Sequence, residues 1–448
     1  MRRAEACLIM LAMISLAAVA PAQDAKLDAM IEKEVPGLVA TYKELHAAPE
    51  LSHHEEKTGA FVAGQLRALG YTVTDHVGKY KNRDWRSYGV VGVMKNGDGP
   101  TVLVRTELDA LPVEERTGLP YASKVKARND AGEEVSVMHA CGHDIHITTL
   151  LGTAKMLANL KDQWHGTLVL IGQPAEEAIS GAQAMMADHM YERFPKPDYC
   201  LALHDSADLE AGKVGYTPGY ALASSTSVDV IIRGLGGHGS RPEATKDPIV
   251  AAAEFILALQ TIVSRENSPF DPAVVTVGAI QGGTRYNIIP DEVHLQLTIR
   301  TYKEEVRQRI LASIERLARG TALAAGIPED RAPIVRPNPD EYTMSTYNDP
   351  QLTERLAGVF ERTLGRANVV KMAPIMASED FGYFGLETHS IPLCMFSLGA
   401  VDPVKFKESK QTGKPLPSLH SSLWAPLPEP TIRTGVKAMT AAVLELMK

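Results

Sequence analysis

Cysteine is scarce in this chain: four residues in 448. Cys7 lies in an N-terminal apolar run, so the remainder holds Cys141, Cys200 and Cys394. Three thiols cannot all pair, so at least one stays free or binds a metal. Cys200 and Cys394 sit in apolar, strand-like runs (Tyr199-Cys-Leu-Ala-Leu and Ile391-Pro-Leu-Cys-Met-Phe), where a free Cys acts as a small apolar residue. Positive charge is also in deficit, with 46 Lys and Arg against 54 Asp and Glu and a formal net charge of −8. That balance argues against a nucleic-acid partner. With 3 Trp and 9 Phe, no aromatic signature of a particular pocket stands out. No internal repeat is present, and past the N-terminus no stretch reads as long and apolar enough to span a bilayer.

The N-terminus carries Met-Arg-Arg, an apolar run from Ala6 to Ala20, and then Pro21-Ala22-Gln23. Two positive charges, a short apolar segment and an Ala-rich end are the parts of a secretory signal peptide over residues 1–22, which predicts a periplasmic or secreted protein. A retained membrane anchor is the alternative. Cleavage there removes Arg2, Arg3 and Glu5 and moves the net charge from −8 to −9.

The length suggests two domains. Helical spacing runs from residue 24 to about 70, with Pro36 restarting the turn and a second helix from about Glu55 to Leu69. Strands are predicted at 71–74, 89–94 and 101–106, with Asn96-Gly-Asp-Gly as a hairpin signal between the last two. Helix 145–160, strand 167–172, helix 180–190 and strand 199–203 follow. The alternation predicts an α/β fold, a sheet with helices on both faces. From 222 the order β-α-β-β-α, with a further strand near Ile334, suggests a small ferredoxin-like α/β domain inserted at 222–335. The catalytic domain is then 23–221 together with 336–448. The latter holds helix 350–364, strand 391–398, a long Pro/Lys-rich loop over 402–418 and a final helix 430–447.

The chemistry concentrates in His139-Ala-Cys-Gly-His143-Asp144, at the start of a predicted helix. Cys as thiolate and His as neutral imidazole are ligands of zinc and related ions, but a lone Cys-x-His pair is a weak signal. Gln173-Pro-Ala-Glu176-Glu177 follows a strand directly, and the carboxyl end of a strand in an α/β sheet is where ligands bind. One Glu of such a pair can coordinate a metal while the other moves protons. Read alone, the pair is more often a solvated helix start. His204-Asp205 ends another strand, His420-Ser421 follows the long loop, and Glu107 and Asp109 share a strand face. One shared centre explains one Cys, three His and several carboxylates at strand ends better than separate coincidences.

At this point the chain resembles the M20 metallopeptidases, in their amidohydrolase branch. The residues that carry the likeness are His46-Ala-Ala-Pro-Glu-Leu-Ser52, Arg105-Thr-Glu-Leu-Asp-Ala-Leu-Pro112, His139-Ala-Cys-Gly-His-Asp-Ile-His146, Gln173-Pro-Ala-Glu-Glu177, Gly236-Gly-His-Gly-Ser240, Asn287-Ile-Ile-Pro290, Thr298-Ile-Arg300 and Ala377-Ser-Glu-Asp-Phe381. The resemblance implies a catalytic domain with an inserted lid and dimerisation domain, and two divalent metal ions per subunit (Zn, Mn, Co or Ni). It implies Cys141 as the bridging ligand, with His143, Glu177, His204 and His420 as the others. Glu176 is the implied general base, and Asp109 the second catalytic candidate. His238 and Asn287 are implied to hold the oxyanion, with His238 of the partner subunit in that role, and Arg300 to grip a substrate carboxylate. The implied substrate is an N-acyl amino acid or small peptide, and the implied assembly a homodimer or higher homo-oligomer. Members of this branch usually carry Ala-Asp where Thr106-Glu107 stands, and often His where Glu243 stands; both departures bear on substrate preference.

Three other readings remain beside the amidohydrolase. One is a carboxypeptidase or dipeptidase acting on peptides. Another is a thiol hydrolase with Cys141 as nucleophile and His143 as base, which leaves the Glu pair without a role. The third is a binding protein without catalysis, which the presence of Glu176 and all five ligand positions opposes.

Overall fold

The computed structural model describes the backbone of residues 2–82, 84–386 and 388–448, and side chains from Ala25 onward apart from Arg83 and Glu387. The expected signal peptide, residues 1–22, lies outside the residues whose side chains are described. The chain forms two compact units: Met1–Pro218 with Asn348–Met372 and Thr388–Lys448, and Gly219–Tyr347 with Ala373–Glu387. The second unit therefore differs from the expected 222–335 insertion. The strand Ile334–Thr343 carries it past residue 335, and the 373–387 segment joins because Thr343 and Thr346 hydroxyls both reach the Glu379 carbonyl at 3.4 Å.

The first unit is built on an eight-stranded mixed sheet. Its strands lie in the order Thr72–Thr74, Val90–Asn96, Gly166–Gln173, Thr101–Glu107, Tyr199–Glu210, Leu393–Val401, Val214–Tyr216 and Val369–Lys371. The four central strands run parallel. Their sequences are near-continuous aliphatic runs, as strands covered on both faces require; Leu168, Val169, Leu170 and Ile171 are all fully buried. The long helix Arg2–Ala47 runs through Pro36 without a break. Its stripe Leu27, Ile31, Val35, Leu38, Tyr42 and Leu45 enters the same core as the helices His143–Asn159 and Pro428–Leu446.

Three expectations are corrected. Asn96-Gly-Asp-Gly does not close a hairpin, because Gly166–Gln173 inserts between the two strands it joins, antiparallel to Val90–Asn96 and parallel to Thr101–Glu107. The 402–418 stretch is not all loop: Pro403–Thr412 is a helix. Asp402 caps it through the amides of Val404 and Lys405, Pro403 fills its first position, and Gly413 ends it with a left-handed φ of 73°. Last, Pro248–Glu266 is long and apolar enough, by length and composition, to cross a membrane. Phe255, Leu259 and Ile262 on this helix are buried in the second unit's core, which accounts for part of that apolarity.

The second unit holds a four-stranded antiparallel sheet ordered Ala273–Gly282, Glu292–Thr301, Ser224–Arg233 and Ile334–Thr343. Glu292–Thr301 alternates buried and solvent-facing residues along its length, as a sheet with one covered face does. The helices Pro248–Thr261 and Glu304–Ala324 cover that face.

Candidate metal centre

The parallel register sets the first level of the site. Glu107 lies opposite Gln173, and Arg105 opposite Ala202, so two residues on Glu107 and His204 reach the same row. All three lie where chain direction delivers residues to the carboxyl end of the sheet. Cys141 and His143 arrive from the loop before the helix His143–Asn159. Gly142 between them has φ 78°, and a Cβ there would come within 2.2 Å of the Asp205 carboxylate, so only glycine fits. His420, also left-handed at φ 65°, is tied to the same loop by its amide, which donates to the Ala140 carbonyl at 2.8 Å.

These placements bring the five expected ligands together. Cys141 Sγ lies 3.5 Å from His204 Nε2 and 3.3 Å from His420 Nε2. His420 Nε2 is 3.5 Å from Glu177 Oε1, and His143 Nε2 is 3.8 Å from Glu176 Oε2 and 3.9 Å from Glu177 Oε1. Two groups of donor atoms share Cys141: one with His143 and His204, the other with Glu177 and His420, each with its donor atoms within 4.8 Å of one another. His143 Nε2 and Glu177 Oε1 are buried with no hydrogen-bond partner. A buried polar atom left so costs about 1–3 kcal/mol, which a cation between the donors offsets. The S, N and O donor set and its orphaned atoms fit a pair of divalent ions. One side of the ring is open, since the His420 side chain is 55 % exposed.

A second layer orients the donors. Asp109 accepts from His143 Nδ1 through its carbonyl at 2.9 Å, with Oδ1 at 3.4 Å. Its Oδ2 accepts the Ser52 hydroxyl at 2.6 Å and the Glu177 amide at 3.0 Å. Asp109 thus stands behind the ring and holds two ligands. The His204 Nδ1 donates to the Asp205 carbonyl at 2.8 Å. Glu107 is wholly buried, ion-paired with Arg105 and hydrogen-bonded to His146 Nδ1 at 2.9 Å. His146 Nε2 in turn accepts the Asp205 amide at 2.8 Å. Glu107 thus lies within 4.8 Å of donor atoms on both His143 and His146, the latter a residue the sequence reading left without a role.

The charges in this cluster oppose one another. Burial pushes the Cys141 thiol well up, and the carboxylates of Glu177, Glu176, Asp205 and Glu107 push it further. Burial raises the Glu177 carboxyl to about 7, against the pull of His143. On His143 burial favours the neutral ring, but the Asp109 bond and the surrounding carboxylates outweigh it and raise it to about 10. Burial works against ionised Glu107 too, yet Arg105 and His146 hold it well below the usual carboxylate range. Charges from Glu107 and Asp205 raise His146 to about 9 against its burial. The Asp205 amide aimed at Nε2 pulls the other way and fits the neutral ring, and that geometry decides the tautomer.

The remaining expected residues lie in the second unit. His238 is exposed, with Nδ1 accepting from the Ser240 hydroxyl at 2.8 Å. His238 and Asn287 line one open groove of about 510 Å³ with Gly236, Gly237 and Asp291. Arg300 lies on Glu292–Thr301 and donates to the hydroxyls of Ser225 and Thr298. The sequence reading quoted Ser52 and His146 within motifs but gave them no role, and it did not single out His53, Glu55, Asp130 or Ser180, which also lie around the centre. Only the closeness of His53 and Glu55 to the His46–Ser52 stretch, and of Ser180 to Glu177, hinted at them.

A cysteine sulfur, three imidazoles and a carboxylate converging at the carboxyl ends of the parallel strands, with a second carboxylate beside them, form a candidate metal centre of the kind hydrolases use. The sequence profile of Peptidase family M20/M25/M40 matches residues 103–412. Hippurate hydrolase of Campylobacter jejuni is 38 % identical over 343 residues, 76 % of this chain and 83 % of that protein. N-acetyl-L-cysteine deacetylase of Bacillus subtilis is 35 % identical over 359 residues, 79 % of this chain and 78 % of that protein. Among solved structures, a Bacillus subtilis protein described as a dinuclear metal binding peptidase of the M20 family superposes with a TM-score of 0.72 at 25 % identity, over 93 % of this chain and 99 % of the other. The chain belongs to Peptidase family M20/M25/M40 and is a hydrolase acting on C–N bonds.

Proposed function

We propose that this protein is a metal-dependent amidohydrolase that cleaves the amide bond of N-acyl amino acids or small peptides. The observation that carries the reading is the pair of donor groups sharing Cys141. Cys141, His143, Glu177, His204 and His420 would hold two divalent ions, Zn, Mn, Co or Ni, with the Cys141 thiolate common to both groups. When bound, such ions lower the pKa of water and polarise an amide carbonyl. Glu176, 6 % exposed and beside His143, takes the proton of the attacking water and returns it to the leaving amine. Asp109 fixes the His143 ring so that Nε2 presents its lone pair to the centre.

Substrate class draws on the relatives, two of which are named for N-acylated amino acids. Arg300 supports a free carboxylate on the substrate. Burial lowers its pKa, and its described partners are hydroxyls and a backbone carbonyl, which leaves a planar fork suited to a carboxylate. The resemblance assigns oxyanion binding to Asn287 and to His238 of the partner subunit. A thiol-nucleophile reading is disfavoured, because it leaves the Glu176 and Glu177 carboxylates beside His143 without a role.

The homodimer is proposed through the second unit. Leu257, Phe270 and Tyr286 are 73 %, 89 % and 98 % exposed there, and Ala273–Gly282 is a sheet edge. Export rests on the N-terminal sequence, and mass measurement of the protein recovered from the periplasm tests cleavage near residue 22.

The central test assays metal-stripped enzyme, with single ions added back, on a panel of N-acyl amino acids, dipeptides and amino-acid amides. N-acyl amino acids are expected to turn over fastest; preference for dipeptides makes the protein a peptidase instead. In the same assay Glu176→Gln is expected to lower kcat by about 10²–10⁴ with metal content unchanged. Full activity in that variant sinks the mechanism.

A further inference from the structure

Both ends of the loop that carries Glu176 and Glu177 are tied to one short segment outside the donor ring. At its start the Ala175 amide donates to Glu55 Oε1 at 2.7 Å, and the same oxygen accepts the His53 amide at 3.0 Å. At its end the Ser180 hydroxyl meets His53 Nε2 at 3.0 Å. The His53 ring is buried and stacks on Trp85, with centroids 3.9 Å apart and planes 17° from parallel. Its Nδ1 faces Asp130 Oδ2 at 2.7 Å. A carboxylate there demands a proton on Nδ1, so Nε2 is left to accept from Ser180.

We propose that His53, Asp130 and Ser180 form a positioning triad that latches the 174–181 loop and so sets where Glu176 sits. The loop needs such a latch. Ala175 and Ile179 hold left-handed φ values of 46° and 53°, which residues with a Cβ adopt only where the surroundings over-determine them. Inside the loop the Ile179 amide reaches the Glu176 carbonyl at 2.7 Å, and the amides of Ser180 and Gly181 both reach the Ala175 carbonyl, at 3.2 and 3.1 Å. Those last two bonds also separate this arrangement from a serine hydrolase of the same side-chain order. The two amides best placed to hold an oxyanion beside Ser180 are committed to Ala175. The triad therefore positions a catalytic group and does not act as a nucleophile.

This inference deepens the amidohydrolase reading and rests on it for the role of Glu176. The test uses the full-length, metal-loaded protein. Ser180→Ala and His53→Asn are expected to lower kcat about tenfold, with KM within about twofold of wild type and metal content unchanged. His53→Gln, whose amide reaches as far as Nε2, retains more activity than His53→Asn. The double variant S180A/H53N falls little further than either single one, since both break the same link. Hydrogen–deuterium exchange in the peptide spanning 174–181 accelerates in each single variant. Unchanged kcat, metal loss in step with kcat, or labelling of Ser180 by an activated phosphonate overturns the proposal. If the wild type hydrolyses no N-acyl amino acid, the functional reading fails by itself. Exchange still decides the latch, and unaltered exchange in Ser180→Ala sinks it.

Discussion

The two units invert the usual distribution of side chains in opposite ways. In the first, ionisable groups are buried: His143, Glu107, Asp109 and Asp205 are at most 2 % exposed. In the second, large apolar groups face outward: Leu257, Phe270 and Tyr286 are all more than 70 % exposed. Charged residues are rarely buried without partners, and exposed apolar patches mark contact sites. The first is a deficit that cations between the donors offset, and the second is the surface through which a homodimer is proposed. The difference lies in directionality. Donor atoms must be aimed, so the first unit surrounds them with Asp109, Glu107 and His146. Apolar side chains carry no such directional requirement, so complementary shape is enough to cover them.

The comparison is broken most severely by protons. Metal and protons compete for the same ligands, so metal affinity depends on pH. The raised folded-state values, about 7 for Glu177 and about 10 for His143, mean that each group must lose a proton to bind. Apparent metal affinity is therefore expected to rise steeply from pH 5 to pH 8, with proton release on binding, measured by titration calorimetry in buffers of different ionisation enthalpy. The sign for the metal-free protein is opposite. A carboxyl whose folded pKa lies above its unfolded value stabilises below the unfolded value and loses that contribution as pH rises through the folded one. The Glu177 contribution to metal-free stability is thus expected to fade between about pH 4.5 and about pH 7, so the Tm gap between metal-loaded and metal-free protein widens upward in pH. A pH-independent gap contradicts this account.

Glu107→Gln sharpens the same side of the comparison with a smaller effect. It keeps the size but removes the charge between buried Arg105 and His146, and is expected to weaken metal binding about 10–100-fold and to lower Tm. Metal competition with a chromophoric chelator reads the affinity, and wild-type affinity would make Glu107 purely structural. The smallest expected effect is on the other unit. Leu257→Asp is expected to shift the proposed dimer toward monomer in light scattering while changing the monomer's own stability by less than about 0.5 kcal/mol. A variant that stays dimeric places the interface elsewhere.

Much of the fold was legible because its signals are local. The aliphatic run at 167–172 marks a doubly covered strand, and the helices 56–68, 304–324 and 350–364 fall where spacing and end residues put them. The helix Pro403–Thr412 was also written locally, in Asp402, Pro403 and Gly413, but its Pro/Lys-rich composition disguised it. The failed hairpin at 96–99 is of another kind. Its turn residues are genuine, yet strand partners are chosen by the whole sheet, and Gly166–Gln173 won the place. At the centre, the donor residue types stood out by their chemistry and position near strand ends. The latch did not, because His53 meets Asp130 across 77 residues and Ser180 across 127.

By itself, then, the sequence determined which donors exist: one soft thiolate, three imidazoles and a Glu pair, each near an element's end where a backbone can turn toward a ligand. The resemblance already pointed to Cys141 as shared, but only the tertiary structure decided which donors flank it on each side, that Asp109 stands behind the ring, and that Glu107 packs against both His143 and His146. Residue type fixes what a side chain can bind. Which atoms it meets depends on the register of the parallel strands and on left-handed turns at Gly142 and His420, which bring together residues up to 279 positions apart.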